Sequence, residues 1–298
     1  MTATGELPSS TLFSRLRRWA PIRLISYVAV ILVVAAVVNN LGRLLIPPLP
    51  SPLHEPMMVV KNLLLLATVF ALYPFLVRVF ERRAADETGI GRLWSGLLTG
   101  SAIGALLIGV IYLVLYALGI AHPQEGSGLE GLTVAVLRPL SVAMLEELLF
   151  RGVLLRITEE VCGTAAAIIV SAGLFGLAHA ANPGATPFTI FALTAEAGIL
   201  LSLAYVLTRN IWLAVGMHMA WNFMEGFVFG MEVSGSREPS SLFTTSMTGP
   251  DLLTGGSLGI EGSLVSLVVS LAASAVLAVL IARKHDWQAP RLRWRTGE

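Results

Sequence analysis

The chain has 298 residues, 55% of them hydrophobic and only 13% charged, with a mean hydropathy of +0.77. An ordinary soluble domain is about 25% charged; a soluble fold of this length could not bury so much apolar surface, whereas a bilayer accepts it. A formal net charge of +1 gives no case for a nucleic-acid partner, and the single cysteine, Cys162, excludes an intrachain disulfide and a cysteine-based metal cluster.

Arg15, Arg17, Arg18 and Arg23 precede the first apolar run, as basic residues precede the core of a signal peptide. The run continues past Val38 toward Ile46, longer than a signal core. Ala35-Ala36 supplies small residues but no convincing cleavage site, so the pattern predicts an uncleaved membrane helix. At about 20 apolar residues per crossing, the sequence predicts eight spans, at 24–45, 58–80, 93–118, 132–157, 164–181, 188–207, 211–231 and 258–282. Pro47-Pro48-Leu49-Pro50 ends the first. The charged stretch 78–92, with Glu81, Arg82, Arg83, Asp86 and Glu87, separates the second and third. His122-Pro123-Gln124-Glu125-Gly126 follows the third, and Asn182-Pro183-Gly184 stops the fifth. Segment 234–257, rich in Ser, Thr and Gly, reads as the longest loop. Internal repeats, common in inverted-repeat transporters, are not visible.

The expected architecture is therefore an all-α, polytopic membrane helix bundle. It comprises a cytoplasmic segment 1–23, a transmembrane domain 24–282 with a functional core at about 132–231, and a basic tail 283–298. Lys and Arg set the orientation. With both termini in the cytoplasm, every basic residue falls on that side except Arg43, Lys61, Arg138, Arg237 and the mid-span Arg151. The Arg-, Ala- and Gly-rich composition, with two lysines, points to a high-GC bacterial source and hence to a bacterial plasma membrane.

Ionisable groups cost about 2.5–3.5 kcal/mol at mid-span on insertion scales, so those that occur there carry information. The fourth span holds Glu146, Glu147 and Arg151, the fifth Phe175 and His179, and the seventh His218 and Asn222; Glu196 lies in the sixth and Glu225 near the end of the seventh. Glu147 and Arg151, four apart with Glu first, share a helix face. Glu146 is offset by about 100°, which leaves it to face the bundle interior. His218 and Asn222, also four apart, can reach one point, and Phe175 can wall a pocket beside His179. Each feature alone reads as helix-to-helix glue. Together, a spare carboxylate, two histidines and an amide are the ingredients for activating water.

In order, Glu146-Glu147-x-x-x-Arg151, Phe175-x-x-x-His179 and His218-x-x-x-Asn222 resemble the signature of the CPBP intramembrane proteases, the CAAX prenyl endopeptidases and their bacterial Abi relatives. The stretch from Arg209 to Ala214 is similar to that family's loop into the third motif. The resemblance covers about a third of the chain, from Leu132 to Phe229. It implies a membrane endopeptidase, usually described as a zinc metalloprotease, with Glu146 as general base supported by Glu147 and Arg151. His179 would then hold the water or metal, and His218 and Asn222 would hold metal or stabilise the oxyanion. With zinc, His179, His218 and Glu146 would be the ligands; without it, Glu146 and His179 would activate water directly.

The implied partners are membrane lipids and a peptide or protein substrate at the membrane. A bacterial source makes a prenylated substrate unexpected. A proton-coupled transporter, with Pro74, Gly104 and Gly109 as candidate helix breaks, and an inactive scaffold are the competing readings. The peptidase reading requires Glu146, His179 and His218 to converge within about 8 Å. Their depths from the cytoplasmic helix ends are roughly 16, 22 and 10 Å, so the fifth and seventh helices must be staggered.

Overall fold

The computed structural model describes residues 19–48, 51–284 and 287–290. Arg15, Arg17, Arg18, Leu49, Pro50 and the tail residues Arg291, Arg293 and Arg295 lie outside the described residues. Helix α1 (Ala20–Leu45) has a proline in its first turn, where the missing N–H is no loss. Helix α2 (His54–Glu81) closes on left-handed Arg82, and two short 3-10 turns lead into α3 (Leu93–Ala117). Helix α4 (Leu132–Glu147) continues through a π-helical stretch, Leu148–Leu155, into α5 (Arg156–Ala178). Helix α6 (Pro187–Leu193), a π stretch Thr194–Ile199 and α7 (Leu200–Thr208) form a second such run. Helix α8 (Trp212–Phe223) ends in a third π stretch, Met224–Val228. The one-turn α9 (Asp251–Thr254) precedes α10 (Leu264–Lys284).

Among the described residues, six helical stretches are long and apolar enough to cross a membrane. The sequence predicts eight spans, and the difference has identifiable causes. The predicted fourth and fifth spans follow one another without an intervening loop within Leu132–Ala178 and part at Gly163, which leaves helical geometry at φ 79° and ψ 170° in the interval where the sequence separates them. The predicted seventh is the shorter α8 with its π extension. The eighth begins at Leu264 rather than 258, because residues 260–262 form a 3-10 turn. Pro74, Gly104 and Gly109 all lie within continuous helices, so none produces the discontinuity expected of a transporter helix.

The helices are apolar on all sides, as lipid contact requires. In α1 the inward face is Tyr27, Ile31, Ala35 and Val38, while Ile25, Val33 and Leu44 are exposed. Outside the helices, strands β1 (Ala121–Glu125) and β4 (Phe243–Met247) pair antiparallel, as do the short β2 (Glu232–Val233) and β3 (Ser236–Arg237). The predicted loops thus form a small ordered cap at one end of the bundle.

The opposite end is basic and tied by ion pairs. Arg23 binds Glu81 and Glu160, and Arg156 binds Glu81, Glu87 and Glu160. Tyr27 and Tyr73 add hydroxyl bonds to Glu81 and Glu87. These partners join α1, α2, the turn before α3 and the start of α5. A shared network of this kind offsets desolvation better than isolated pairs do.

The position of α8 depends on glycine. Gly96, Gly100 and Gly104, one helical turn apart, place the α3 backbone against Trp212, Leu213, Gly216 and Met217 of α8. A Cβ at Gly100 would collide with the Leu213 carbonyl, which is backbone and cannot move aside alone. Gly100→Ala should therefore cost about 1–3 kcal/mol by overpacking and lower the detergent-solubilised melting temperature. Gly109→Ala in the same helix, where nothing lies within 4 Å, should leave it unchanged. Equal effects from the two substitutions would refute the close-approach argument.

Candidate active site

Glu147 is the last residue of α4 and is fully buried. A lone carboxylate there would be strongly unfavourable. Its Oε1 accepts from Arg151 Nη1 at 2.8 Å, one turn on, and lies 2.9 Å from His218 Nδ1 on α8. Because Glu147 accepts, His218 Nδ1 carries the proton, and its Nε2 is left to face the interior. Arg151, itself wholly buried, also reaches the π stretch between α6 and α7: Nη2 donates to the carbonyls of Ala197 at 2.8 Å and Gly198 at 3.1 Å, while Nε has no partner among the described residues. Its guanidinium also lies 4.8 Å above the Phe175 ring, tying in α5.

Glu146 points away from this pair. It lines a cavity of about 270 Å³ together with Arg138, Phe150, His179, His218 and Asn222. Its Oε2 has no hydrogen-bond partner among the described residues and lies 3.9 Å from His218 Nε2. That separation is too long for a hydrogen bond. His179 caps the C-terminal end of α5, where its Nδ1 donates to the Phe175 carbonyl at 2.8 Å. This fixes its tautomer and leaves Nε2 available. Phe175 sits between the two imidazoles, its centroid 4.8 Å from that of His179 and 6.2 Å from that of His218. His179 lies at the extreme C-terminal end of α5 and lines the same cavity as Glu146 and His218.

Asn222, one turn beyond His218, lines the same cavity and a smaller adjoining one that also contains Glu196, Trp221, Ser234 and Glu261. Glu225 is buried behind Trp221, whose Nε1 donates to it at 3.1 Å. The structure thus brings Glu146, His179, His218 and Asn222 to one cavity, with Glu147 and Arg151 behind them. Sequence reasoning missed Glu261 and Ser234. Glu261, in the turn before α10, accepts from Ser234 Oγ at 2.5 Å. Burial pushes its carboxyl above the ordinary range, against the opposing pull of Ser234 and the two histidines. An acid inside predicted span 258–282 was the signal that could have found it; Ser234, in a serine-rich loop, gave none.

Two imidazole Nε2 atoms and an orphaned carboxylate oxygen have the chemistry of metal ligands, and each histidine is oriented through its other nitrogen as metal ligands are. Their spacing does not match that chemistry. Among the described residues, no three His, Cys, Asp or Glu side chains are gathered closely enough to hold one ion. The zinc site implied by the motif resemblance is not assembled in this arrangement.

Residues 128–224 match the family model described as Type II CAAX prenyl endopeptidase Rce1-like. The match spans about a third of the chain and contains Glu146, Glu147, Arg151, His179, His218 and Asn222. No curated protein and no solved structure matches the chain.

Removing Arg151 should expose the dependence of the site on its buried pair. Arg151→Met leaves Glu147 uncompensated and should destabilise the protein by about 3–5 kcal/mol. The double variant Arg151→Met/Glu147→Gln should recover part of that loss in the same thermal-unfolding measurement. Strict additivity would contradict the coupling.

Proposed function

We propose, for a chain whose residues 128–224 belong to the type II CAAX prenyl endopeptidase family, that it hydrolyses peptide bonds of membrane-associated polypeptides with water activated by Glu146. The observation that carries this reading is the unpaired Glu146 Oε2, on a side chain that lines the cavity, 3.9 Å from a histidine nitrogen whose ring is fixed from behind. Glu147, a residue away, is instead tied through its Oε1 to Arg151 and His218, although its Oε2 also lacks a partner among the described residues.

In the proposed reaction, water lies between Glu146 and the Nε2 atoms of His218 and His179. Glu146 takes a proton as the water oxygen attacks the peptide carbonyl carbon. The carbonyl oxygen gains charge beside the Asn222 side-chain amide, a neutral donor that lines the cavity next to His218. Collapse breaks the C–N bond, Glu146 returns the proton to the departing amine, and a carboxylate and an amine are left. Glu147 and Arg151 do not touch substrate; they hold His218 in one tautomer and one orientation. No step here is routed through a metal.

In detergent, with a quenched peptide library, Glu146→Gln should lower kcat by about 10²–10⁴-fold and Asn222→Ala by about 10²–10³-fold, with the fold retained. Undiminished cleavage by Glu146→Gln would refute the assignment. Chelators should leave wild-type cleavage intact; loss on chelation, restored by stoichiometric zinc, would show that the ligands close around an ion in the working enzyme.

A further inference from the structure

The cavity containing Glu146 opens toward one end of the bundle. Its lining runs from Glu146 and His218 in the interior to Arg138, Asn182, Ser236 and Glu238 under the cap. Three helices agree on that direction. Helix α4 runs from Arg138 at the cap inward to Glu146, and reaches the ion-pair network at Arg156 only after its π stretch. Helices α5 and α8 run the opposite way, from Glu159 and Asn210 at the basic end to His179 and Asn222 near the cap. Asn182 Nδ2 donates to the Ser234 carbonyl at 3.0 Å, and Arg138 pairs with Glu238 at 2.8 Å, so the cap forms the rim of the opening.

The charge distribution assigns that end a side. Arg82, Arg83, Arg92, Arg209, Arg283 and Lys284 lie at the end away from the cavity mouth, and three of them border a single groove there. Basic residues concentrated in short connections near span ends mark the cytoplasmic side. The mouth end carries fewer, Arg43, Lys61, Arg138 and Arg237, the last two each paired to a glutamate of the cap.

We infer that the site opens on the non-cytoplasmic face of the membrane, and that its substrates are polypeptides presenting an extended segment at that face, such as the outer juxtamembrane stretch of another membrane protein. A lipidated tail held at the cytoplasmic leaflet meets the ion-paired end, where the groove bordered by Arg92, Arg209 and Lys284 shares no lining residue with the Glu146 cavity. The inference rests on the peptidase reading for its substrate class and on charge and cavity direction for its side.

The test separates the two. In a Cys162→Ser background, Ser236→Cys at the exposed cavity rim and Ala84→Cys at the exposed basic end are treated with a membrane-impermeant maleimide in intact bacterial spheroplasts. Ser236→Cys should label as fully as after permeabilisation, and Ala84→Cys only after permeabilisation; the reverse pattern overturns the inference. A quenched peptide library added outside intact spheroplasts should be cleaved by cells expressing wild type and not Glu146→Gln. Cleavage that appears only on permeabilisation overturns it as well. If labelling is as expected and purified protein cleaves nothing in detergent, the peptidase reading and the substrate class fall, and the sidedness stands.

Discussion

A fully buried carboxylate in a membrane domain must be compensated, and at Glu147 the compensation organises everything around it. Arg151 and His218 meet the same oxygen, Oε1, and each reaches it from a different direction. Arg151 is then committed to the α6–α7 backbone and the face of Phe175. His218 is committed to one tautomer, with its second nitrogen turned toward Glu146. The pair contributes little net stability as a pair, since burying two charges costs about what their attraction returns. Its value lies in specifying one arrangement of α4, α5, α7 and α8, which a purely apolar contact would leave free to slide.

The local helix geometry serves the same end. Arg151, Glu196 and Glu225 each lie in a π-helical stretch, Leu148–Leu155, Thr194–Ile199 and Met224–Val228. A π turn re-aims the side chains that follow it relative to an α-helix and recurs at functional positions. The glycines complement this. Gly96, Gly100 and Gly104 let α3 approach α8 at backbone distance, and Gly198 lies against Ala172 of α5 in the same way. Charged side chains thus sit where helices are held by backbone contact rather than by interchangeable apolar side chains.

Much of this was legible in the sequence because hydrocarbon makes ionisable residues conspicuous. The i,i+4 spacing of Glu147 and Arg151 and the 100° offset of Glu146 give the pair and the free carboxylate directly. That His218, rather than a residue of another span, shares Glu147 could not be read, because partners between helices depend on rotation and depth, which apolar sequence does not encode. The break at Gly163 was legible, since it falls in the interval 158–163 between the predicted fourth and fifth spans, whereas the late start of α10 was hidden because small and apolar residues on both sides read as continuous span. The paired strands of the cap rest on long-range register between residues 121–125 and 243–247, which has no local signature in a serine- and threonine-rich loop. Glu261 was overlooked because it lies at a predicted span's start, where acids are ordinary.

The central claim is that Glu147 fixes the His218 imidazole so that its Nε2 serves the cavity. Nitrogen-15 NMR of the purified protein in bilayers, with histidine selectively labelled and His218 assigned by substitution, reads the tautomer directly. The account predicts a proton on His218 Nδ1 in wild type and loss of that preference in Glu147→Gln. A wild-type His218 protonated on Nε2 alone would contradict it.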